Sequence, residues 1–500
     1  MSTTTSIQLA LALPLVGAAL TAVLGRRPNL REAGTLAIGV ALFLVVLSLL
    51  PSVLDGGRPS VEWFEVLPGL AIAFRLEPLG MLFALVASGL WIVTSLYSIG
   101  YMRANEEEHQ TRYYMAFAVS IFGAIGVALA QNMFTLFIFY EVLTLSTYPL
   151  VAHHGTQKAM RGARTYLSVL LTTSIGFLLL AVVWTWSIAG TLDFTEGGIL
   201  AGKAEEPVIF ALLALYAFGT GKAALMPFHR WLPAAMVAPT PVSALLHAVA
   251  VVKAGVFTVM KVVVYIFGLD LLGDTGVSVG LMYVAGATII IASVVALTKD
   301  NLKARLAYST ISQLSYIVLG AALANSWGVI GGSMHIAMHA FGKITLFFCA
   351  GAIYVATHKT EISDMRGIGR TMPFTTFAFL LGSLSVIGLP PMGGTWSKWY
   401  LALGAADAEQ VVFIAVLMVS SLLNIAYLLP IPIRGFFLAP PEGSASSGIR
   451  EAPLFCVIPL CLTAVGCVVL FFFAGEIAQL LQPLVAGGPG VGMGPGGGGP

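Results

Sequence analysis

Ionisable side chains interrupt otherwise apolar stretches of this sequence. The stretch 218–255 alone carries Lys222, His229, His247 and Lys253 between runs of apolar residues. An ammonium group in the middle of a bilayer costs about 2.5–3.5 kcal/mol on insertion scales, so such a residue marks an ion path or another functional site. Because amines, imidazoles and carboxylates all exchange protons, the chemistry that these residue types predict is proton transfer.

One carboxylate lies deep in an apolar run. Glu141 is in the middle of NMFTLFIFYEVLTLSTYPLV, about nine residues from either end. Desolvation and a partner charge act in opposite directions on a buried acid or base, so a pair such as Glu141 with Lys222 is adjustable near neutral pH. Such a pair can act as a proton gate. The alternative is a salt bridge that only holds two helices together.

The segment GGSMHIAMHAFGKITLFF carries His335, His339 and Lys343 at intervals of four residues. This spacing places the three side chains along one stripe of a helix, over about 12 Å. The stripe is typical of a proton relay. Two histidines one turn apart could instead chelate a metal, but the glutamate of HExxH is missing and no third ligand is adjacent, so we expect no metal site.

Two lysines stand beside sequences that interrupt helices. Lys222 follows Gly-Thr-Gly and precedes a proline, and Lys398 follows a Pro-Pro-Met-Gly-Gly segment. Interrupted helices at membrane depth must face protein or water, which is where transporters build ion sites. Two broken helices about five spans apart predict an internal repeat of five helices in inverted orientation. The residues predicted to break them are Gly219, Gly221, Pro227, Pro390, Pro391, Gly393 and Gly394.

The other embedded basic residues differ in their expected roles. Lys253 lies about ten residues into its helix, which has no acidic residue to neutralise it, so we assign it to the relay. His229 and His247 are possible accessory residues, with a capping or interfacial histidine as the alternative for His229. Lys261 is closer to the end of its helix and is expected to extend its ammonium to the membrane surface.

The composition predicts an integral membrane protein with an all-α fold. Hydrophobic residues make up 58% and charged residues 10% of the 500 residues, against about 25% charged in soluble domains. A net charge of +2 argues against a nucleic-acid partner, because a phosphate-binding surface needs a concentrated basic patch. Apolar windows predict about fourteen transmembrane helices, near 6–25, 33–54, 77–101, 112–130, 132–151, 163–189, 207–228, 242–266, 276–298, 303–324, 328–357, 372–400, 409–430 and 453–482.

The basic residues sort strongly between the two sides of this arrangement. Of the 25 lysines and arginines, seventeen fall on one side, three on the other and five within spans. The positive-inside rule then places both termini on the non-cytoplasmic side of a multi-pass protein. The first apolar run has no basic residue before it, so we expect a retained helix and not a signal peptide.

The windows divide the chain into five predicted parts. Residues 1–111 hold helices 1–3, and 112–270 form the first five-helix repeat. Residues 271–408 form the second repeat, which continues through helix 13 to about 430. Residues 431–486 hold the last loop and helix, and 487–500 are a disordered Gly/Pro tail.

Motifs for redox or hydrolytic chemistry are absent from the sequence. It contains no GxGxxG after a strand, no Walker A lysine motif and no CxxC pair among its four cysteines. We therefore expect no cofactor and no catalytic site in this chain. Any energy source must come from other subunits or from an ion gradient.

Five motifs in order give the sequence a resemblance to a known family. They are RLEPLGMLFALV with LYSIGYM, FIFYEVLTLSTYPLV, KAALMPFHRWLPAAMVAPTPVSALLHAVAVVKAG, HAFGKITLF and GLPPMGGTWSKWYL, over roughly residues 75–400. The sequence resembles the antiporter-like membrane subunits shared by respiratory complex I, membrane-bound hydrogenases and Mrp-type cation/proton antiporters. The resemblance implies a fourteen-helix fold with inverted five-helix repeats, each with a broken helix, and a central hydrophilic axis.

The resemblance also implies roles for the embedded residues. Lys398 matches a terminal lysine where one complex I subunit carries glutamate. That difference, with a chain that stops after the last span, makes the resemblance strongest to the Mrp D-type and hydrogenase-type subunits. By motif, Glu141 resembles the family's helix 5 glutamate, Lys222 the lysine of broken helix 7, Lys253 the helix 8 relay residue, His335, His339 and Lys343 the central connection, and Lys398 the lysine of broken helix 12.

The expected function is proton translocation in a multisubunit complex of a prokaryotic plasma membrane. The main hypothesis is a Mrp-type antiporter of sodium or another monovalent cation, with other membrane subunits and the lipid bilayer as partners. One alternative is a proton-pumping subunit of a redox complex, either NADH-quinone oxidoreductase or hydrogenase, and then part of a translocase. Others are a subunit for inorganic carbon uptake and a non-transporting scaffold, although five embedded lysines and one deep glutamate do not permit permanent pairing.

Overall fold

The computed structural model describes residues 2–440 and 448–485, which form mainly a bundle of α-helices. Within these ranges, eleven helices are long and apolar enough to cross a bilayer. The prediction of a multi-pass helical membrane protein is therefore confirmed. The predicted Gly/Pro tail 487–500 lies outside the described residues.

The N-terminal part contains a β-hairpin that the sequence prediction missed. The two strands pair antiparallel from Ser60 with Arg75 to Leu67 with Leu70. Gly69 adopts the positive φ that the tight turn needs, and its N–H donates to Glu65 Oε1 at 2.6 Å. The prediction of an all-α fold is wrong here, because alternating apolar and polar residues before a Pro-Gly turn favour a hairpin. The elements are α1 Thr3–Val23, α2 Pro28–Leu54, β1 Ser60–Leu67, β2 Leu70–Arg75 and α3 Pro78–Ala104.

The next part contains the first broken helix, which is interrupted after Gly219, and spans that include π-helical turns. A π-helical turn, Ser174–Leu178, joins two helices into one span. Further π-helical turns at Leu245–Val249 and Val262–Phe267 lie within the span Thr240–Phe267. The helices are α4 Gln110–Leu129, α5 Met133–Val151, α6 Gln157–Thr173, α7 Leu179–Ala189, α8 Glu206–Gly219, α9 Trp231–Ala234, α10 Thr240–Ala244, α11 Val251–Lys261 and α12 Leu269–Thr275.

The third part contains the longest helix and a second interruption. The single predicted helix 372–400 is two helices in the structure, and the second of them extends to Asp407. The helices are α13 Val279–Thr298, α14 Leu302–Ala322, α15 Ser326–Thr357, α16 Ile368–Thr371, α17 Pro373–Ile387, α18 Gly394–Asp407, α19 Val411–Leu428, α20 Pro430–Phe437, α21 Leu454–Phe472 and α22 Ala474–Leu481.

Close backbone packing accounts for the glycines at the two interruptions. After α8 the chain makes one 3-10 turn, and a Cβ on Gly221 would lie 2.2 Å from Thr173 Oγ1. At the second interruption, a Cβ on Gly394 would lie 2.0 Å from the carbonyl oxygen of Ser385. Both distances are far below van der Waals contact. A Cβ at position 394 would require the backbone to move, and a Cβ at position 221 would displace the Thr173 side chain.

Two spans lie at the centre of the bundle. The apolar windows of Thr240–Phe267 and α15 are almost completely buried, whereas α2, α19 and α21 present much of their apolar surface to the outside. In a membrane protein this outer apolar surface faces lipid. The two innermost spans also carry most of the embedded lysines and histidines.

Candidate functional site

The lysines and histidines of the predicted relay are buried. Lys222, Lys253 and Lys343 are completely buried, and Lys398 is 9% exposed. Burial of an ammonium group costs free energy unless nearby groups accept its hydrogen bonds. The partners of each lysine therefore indicate what its side chain can do. The two stripe histidines, His335 and His339, are also buried.

Lys222 is held at the first helix break by α5. Its Nζ donates to the carbonyl oxygen of Tyr140 at 2.8 Å and to Thr144 Oγ1 at 2.5 Å. The same Nζ lies 3.1 Å from the centre of the Tyr140 ring, and the backbone N–H of Lys222 donates to the Tyr140 hydroxyl at 3.0 Å. All these partners are neutral. Sequence reasoning missed Tyr140 and Thr144, although the two are four residues apart and therefore lie on the same face of α5.

Glu141 does not form the predicted direct contact with Lys222. Both carboxylate oxygens are buried, and neither has a hydrogen-bond partner within the described ranges. No ion pair of 4.0 Å or less joins Glu141 to a basic residue in the part of the chain that the structure describes. In the structure Glu141 and Lys222 are therefore not in contact, and Lys222 is hydrogen-bonded to neutral oxygens.

A row of contacts starts at Lys253 and runs through the two histidines of α15. Lys253 Nζ contacts Nδ1 of His339. The rings of His339 and His335 are 5.7 Å apart between centroids and nearly parallel, at 18°. His335 Nδ1 lies 2.8 Å from Ser397 Oγ, and its Nε2 lies 3.2 Å from Gln313 Oε1. Gln313 and Ser397 were not predicted, because α14 and α18 meet α15 only in the folded bundle.

The row continues to Lys398 through an aromatic ring. Tyr316 stacks on His335 with centroids 5.6 Å apart, and Lys398 Nζ lies 4.8 Å from the Tyr316 ring centre. Lys398 Nζ donates to the carbonyl oxygen of Ile387 at 2.9 Å and to Ser421 Oγ at 3.2 Å. The Ile387 carbonyl is available because α17 ends there. We call Lys253, His339, His335, Tyr316 and Lys398 the central row.

Lys343 does not continue the row of side-chain contacts that its spacing from His335 and His339 predicts. Its Nζ donates to Ser309 Oγ at 2.5 Å and, weakly, to the Leu306 carbonyl oxygen at 3.4 Å. The Tyr427 hydroxyl donates to the same Ser309 oxygen at 2.9 Å. Lys343 thus starts a branch towards α14 and α19. The two histidines of the stripe, by contrast, contact each other.

The two accessory histidines differ in position. His247 is completely buried in a π-helical turn, against Phe347 with ring centroids 4.6 Å apart. Within the described ranges, neither ring nitrogen of His247 has a hydrogen-bond partner. His229 is only partly buried and lies 6.3 Å from Tyr308 between ring centroids. His247 therefore lies among the buried polar groups, whereas His229 lies closer to the protein surface.

The prediction that Lys261 extends its ammonium group to the membrane surface is wrong. It is 1% exposed and forms an ion pair with Glu77, which is also buried. Its Nζ donates to the Ala130 carbonyl oxygen at 3.1 Å and lies 3.9 Å from the Phe194 ring centre. The prediction failed because Glu77 precedes a distant helix in the sequence and reaches Lys261 only after folding. This pair gives Lys261 a structural role distinct from the central row.

A polar cavity opens on one end of the bundle, the end formed by residues 105–109, 152–156 and 299–301. It has a volume of about 620 Å³, and Thr240 and Lys303 are among its lining residues. His154 lies at its rim and bonds to Glu107 and to the Val237 carbonyl oxygen, both at 3.2 Å. The hydrogen bond to Glu107 raises the pKa of His154 above its usual value. We call this feature the polar funnel.

His153, outside the membrane-spanning segments, behaves in the opposite way. Burial lowers the pKa of His153 to about 4, although Glu107 Oε2 lies 3.6 Å from its Nε2. Desolvation outweighs the attraction of the carboxylate for this side chain. His154 at the funnel rim thus has a raised pKa, whereas its neighbour His153 stays neutral near pH 7.

Sequence and structure comparisons relate the chain to known proteins. Residues 130–424 match a family described as NADH:quinone oxidoreductase/Mrp antiporter, transmembrane. The chain is 32% identical over 425 residues to NADH-quinone oxidoreductase subunit N of Desulforudis audaxviator, covering 82% of this chain and 84% of that protein. It is 26% identical over 442 residues to the D-type subunit of the Na(+)/H(+) antiporter of Alkalihalophilus pseudofirmus, covering 87% of each.

A solved structure gives the same fold. The chain superimposes on a chain of the Mrp complex from Dietzia sp. with a TM-score of 0.86 at 24% sequence identity, covering 97% of both chains. The predicted resemblance to the antiporter-like subunits is confirmed by these matches. The family match spans every predicted relay residue from Glu141 to Lys398.

Proposed function

The chain belongs to the NADH:quinone oxidoreductase/Mrp antiporter family, and we propose on that premise that it translocates protons within a multisubunit complex of a prokaryotic plasma membrane. The complex that we propose is a Mrp-type antiporter, which exchanges sodium or another monovalent cation for protons. The protons move along the buried Glu/Lys/His relay. The observation that carries this proposal is the central row.

The central row supports proton movement because four of its five members, Lys253, His339, His335 and Lys398, are bases, and the aromatic ring of Tyr316 lies between the last two. Lys253 and His339 touch, so one proton can be shared or passed between an amine and an imidazole. His339 and His335 are stacked neighbours, and a ring nitrogen of His335 lies 2.8 Å from the Ser397 hydroxyl. Ser397 precedes Lys398 in α18. The row therefore joins the first broken-helix region to the second through the centre of the bundle.

The proposed gate is at Glu141 and Lys222. Lys222 is bonded only to neutral oxygens of α5, so ionisation of Glu141 adds an attractive charge that those oxygens do not supply. A Cβ on Gly255 would lie 2.4 Å from the Ala223 backbone nitrogen, so α11 packs directly on the break that carries Lys222. Movement of Lys222 towards Glu141 would therefore displace backbone atoms that contact Gly255, which is two residues from Lys253 in α11. This coupling is the first step that we propose.

The proposed cytoplasmic entrance is the polar funnel. Its floor includes Thr240, and the following turns of the same span carry Ser243 and His247, whose side-chain polar atoms are buried without partners within the described ranges. Water could bridge such groups, since buried polar atoms are normally hydrogen-bonded. His247 would then deliver protons towards Lys343 and Lys253, and Lys343 would act as a branch of the relay. The funnel side carries the basic loops, and by the positive-inside rule this supports the proposal that the funnel is cytoplasmic and both termini lie on the opposite side.

We also propose fourteen spans arranged with two inverted repeats. Three helical segments add to the eleven candidate spans: the broken helix that starts with α8, the less apolar α14, and the pair α17 and α18. Support for the repeat comes from the two breaks, each of which places one buried lysine near the middle of a span. The proposed repeats are residues 112–270 and 271–408, and the second repeat continues through helix 13 to about 430.

A redox-driven complex is the second candidate function. It is favoured by the 32% identity to a subunit of NADH-quinone oxidoreductase, against 26% to the D-type antiporter protein. In that case other subunits supply the energy, and the relay residues keep their roles. Purification of the tagged chain with its partners, followed by mass spectrometry, separates the two: flavin or iron-sulfur subunits indicate the redox complex.

The gate is tested by Glu141→Gln and Lys222→Ala in the purified complex. Each variant is expected to abolish cation-driven proton movement in vesicles while the complex still assembles. Lys203→Met is the matched control, because Lys203 is an exposed lysine that donates to the Ala189 carbonyl oxygen. Normal proton exchange by either gate variant would refute the proposed gate.

A further inference from the structure

A lateral cavity of about 650 Å³ lies where α17, α18 and α19 meet, with Phe471 of α21 at its side. Its lining is mainly apolar and includes two tryptophans, Trp396 and Trp399. Cavities that bind small molecules measure about 300–1,000 Å³ and are lined in the same way, with few polar groups. The size and lining of this cavity therefore fit an apolar ligand.

The mouth of the cavity faces the surrounding membrane. Trp399 is 58% exposed, Met418 64% and Leu422 65%, and the last two belong to a helix that is apolar enough to span a bilayer. Exposed apolar surface on a spanning helix is suited to contact with hydrocarbon. A ligand would therefore enter from the lipid phase.

Among the described residues that line the cavity, Lys398 is the only charged one. Its side chain is nine-tenths buried, and the two oxygens that accept from its Nζ, those of Ile387 and Ser421, are neutral. Within residues 2–440 and 448–485, no carboxylate lies within 4.0 Å of Lys398 Nζ. Protonation of Lys398 would give an ammonium group with three donors, one of which has no oxygen acceptor among these contacts, and a charge that faces only the Tyr316 ring at 4.8 Å. Lys261, in contrast, is paired with Glu77.

We propose that this cavity binds a long-chain fatty acid, with its carboxylate on Lys398 and Ser421 and its acyl chain along Trp396 and Trp399. The head group must reach a lysine that lies nine residues before Asp407, the end of α18, or about 14 Å along the helix. A carboxylic acid can make this journey in its neutral form, whereas the phosphodiester of a phospholipid stays ionised and is costly to bury. The neutral acid then gives its proton to the Lys398 amine, which leaves a carboxylate–ammonium pair without any other reactant.

Quenching of tryptophan fluorescence by brominated acyl chains tests this binding site. The full-length chain, with the subunits that co-purify, is placed in phosphatidylcholine nanodiscs and titrated with brominated stearic acid or with brominated stearyl alcohol. The acid is expected to quench at a concentration about tenfold lower than the alcohol, which corresponds to 1.4 kcal/mol, because only the acid forms charge-assisted hydrogen bonds with Lys398. The variant Trp396→Phe/Trp399→Phe should lose the saturable part of the quenching.

Lys398→Met should bring the acid to the level of the alcohol, and the matched control Lys203→Met should bind the acid normally. If Lys398→Met does not fold, Ala402→Phe fills the cavity from a lining position and is expected to weaken binding of both ligands. Equal quenching by acid and alcohol, or unchanged acid binding in Lys398→Met, would overturn the proposal. So would a brominated anionic phospholipid that binds as tightly as the acid. None of these readouts depends on proton transport.

Discussion

The buried pair of Glu77 and Lys261 gives a quantitative prediction about stability. Both side chains are at most 4% exposed, and the pair lies between the start of α3 and the end of α11. Glu77→Gln removes the only carboxylate in ion-pair contact with Lys261 within the described residues. Loss of one partner of a buried pair costs about 3–5 kcal/mol, because the other charge stays buried without compensation.

The magnitude for Glu77→Gln falls towards the lower end of this range. Lys261 keeps the Ala130 carbonyl oxygen and the Phe194 ring, so the ammonium is not left without any partner. We expect a loss of about 3 kcal/mol in the free energy of unfolding. The double variant Glu77→Gln/Lys261→Met should recover to within about 1 kcal/mol of the wild type, since a neutral pair of similar volume removes the uncompensated charge.

Equilibrium unfolding in mixed detergent micelles, followed by tryptophan fluorescence, measures both variants. The single variant should unfold at a clearly lower denaturant concentration than the double variant. A single variant as stable as the wild type would show that Lys261 does not need its partner. A double variant no more stable than the single one would show that the loss came from packing and not from charge.

Two further predictions concern the second helix break and the funnel rim. Gly394→Ala should lower the free energy of unfolding by at least about 2 kcal/mol, as overpacking does, because its Cβ would lie 2.0 Å from the Ser385 carbonyl oxygen. The control in the same unfolding assay is Gly176→Ala, because the space around Gly176 is open. Since the pKa of His154 is raised by Glu107, its contribution to stability is complete below pH 6.5 and is lost as the pH rises through the folded-state pKa. His154→Gln should therefore lower stability at pH 6 more than at pH 9, and equal losses at both pH values would contradict this assignment.

The sequence predicted the features that depend on local composition and helical spacing. Apolar windows identified the membrane class, and the interval of four placed His335 and His339 on one face of α15, where their rings are nearly parallel. Those predictions worked because hydropathy and helix period are local properties of the chain. Glycine-rich and proline-rich segments likewise lie where α8 and α17 end.

Contacts between distant helices could not be read in this way. Gln313 and Tyr316 come from α14, and Ser421 comes from α19, and each reaches the central row only because of how the helices pack. The contact of Lys261 with Glu77 and the absence of one between Glu141 and Lys222 are set by the same packing. Side-chain spacing within one helix carries no information about the partner helix. The hairpin was missed for a different reason, because a search for long apolar windows overlooks short alternating strands.

Proton movement through the central row is tested most directly by comparing two ways of removing a buried lysine. The purified complex is reconstituted into vesicles, and a pH-sensitive dye reports proton movement driven by a sodium gradient. Lys253→Met removes the contact with His339 and is expected to reduce proton flux at least tenfold. Glu77→Gln/Lys261→Met also removes a buried lysine but leaves the row intact, and it should keep most of the flux. Normal flux in Lys253→Met, at equal amounts of assembled complex, would contradict the role of the central row.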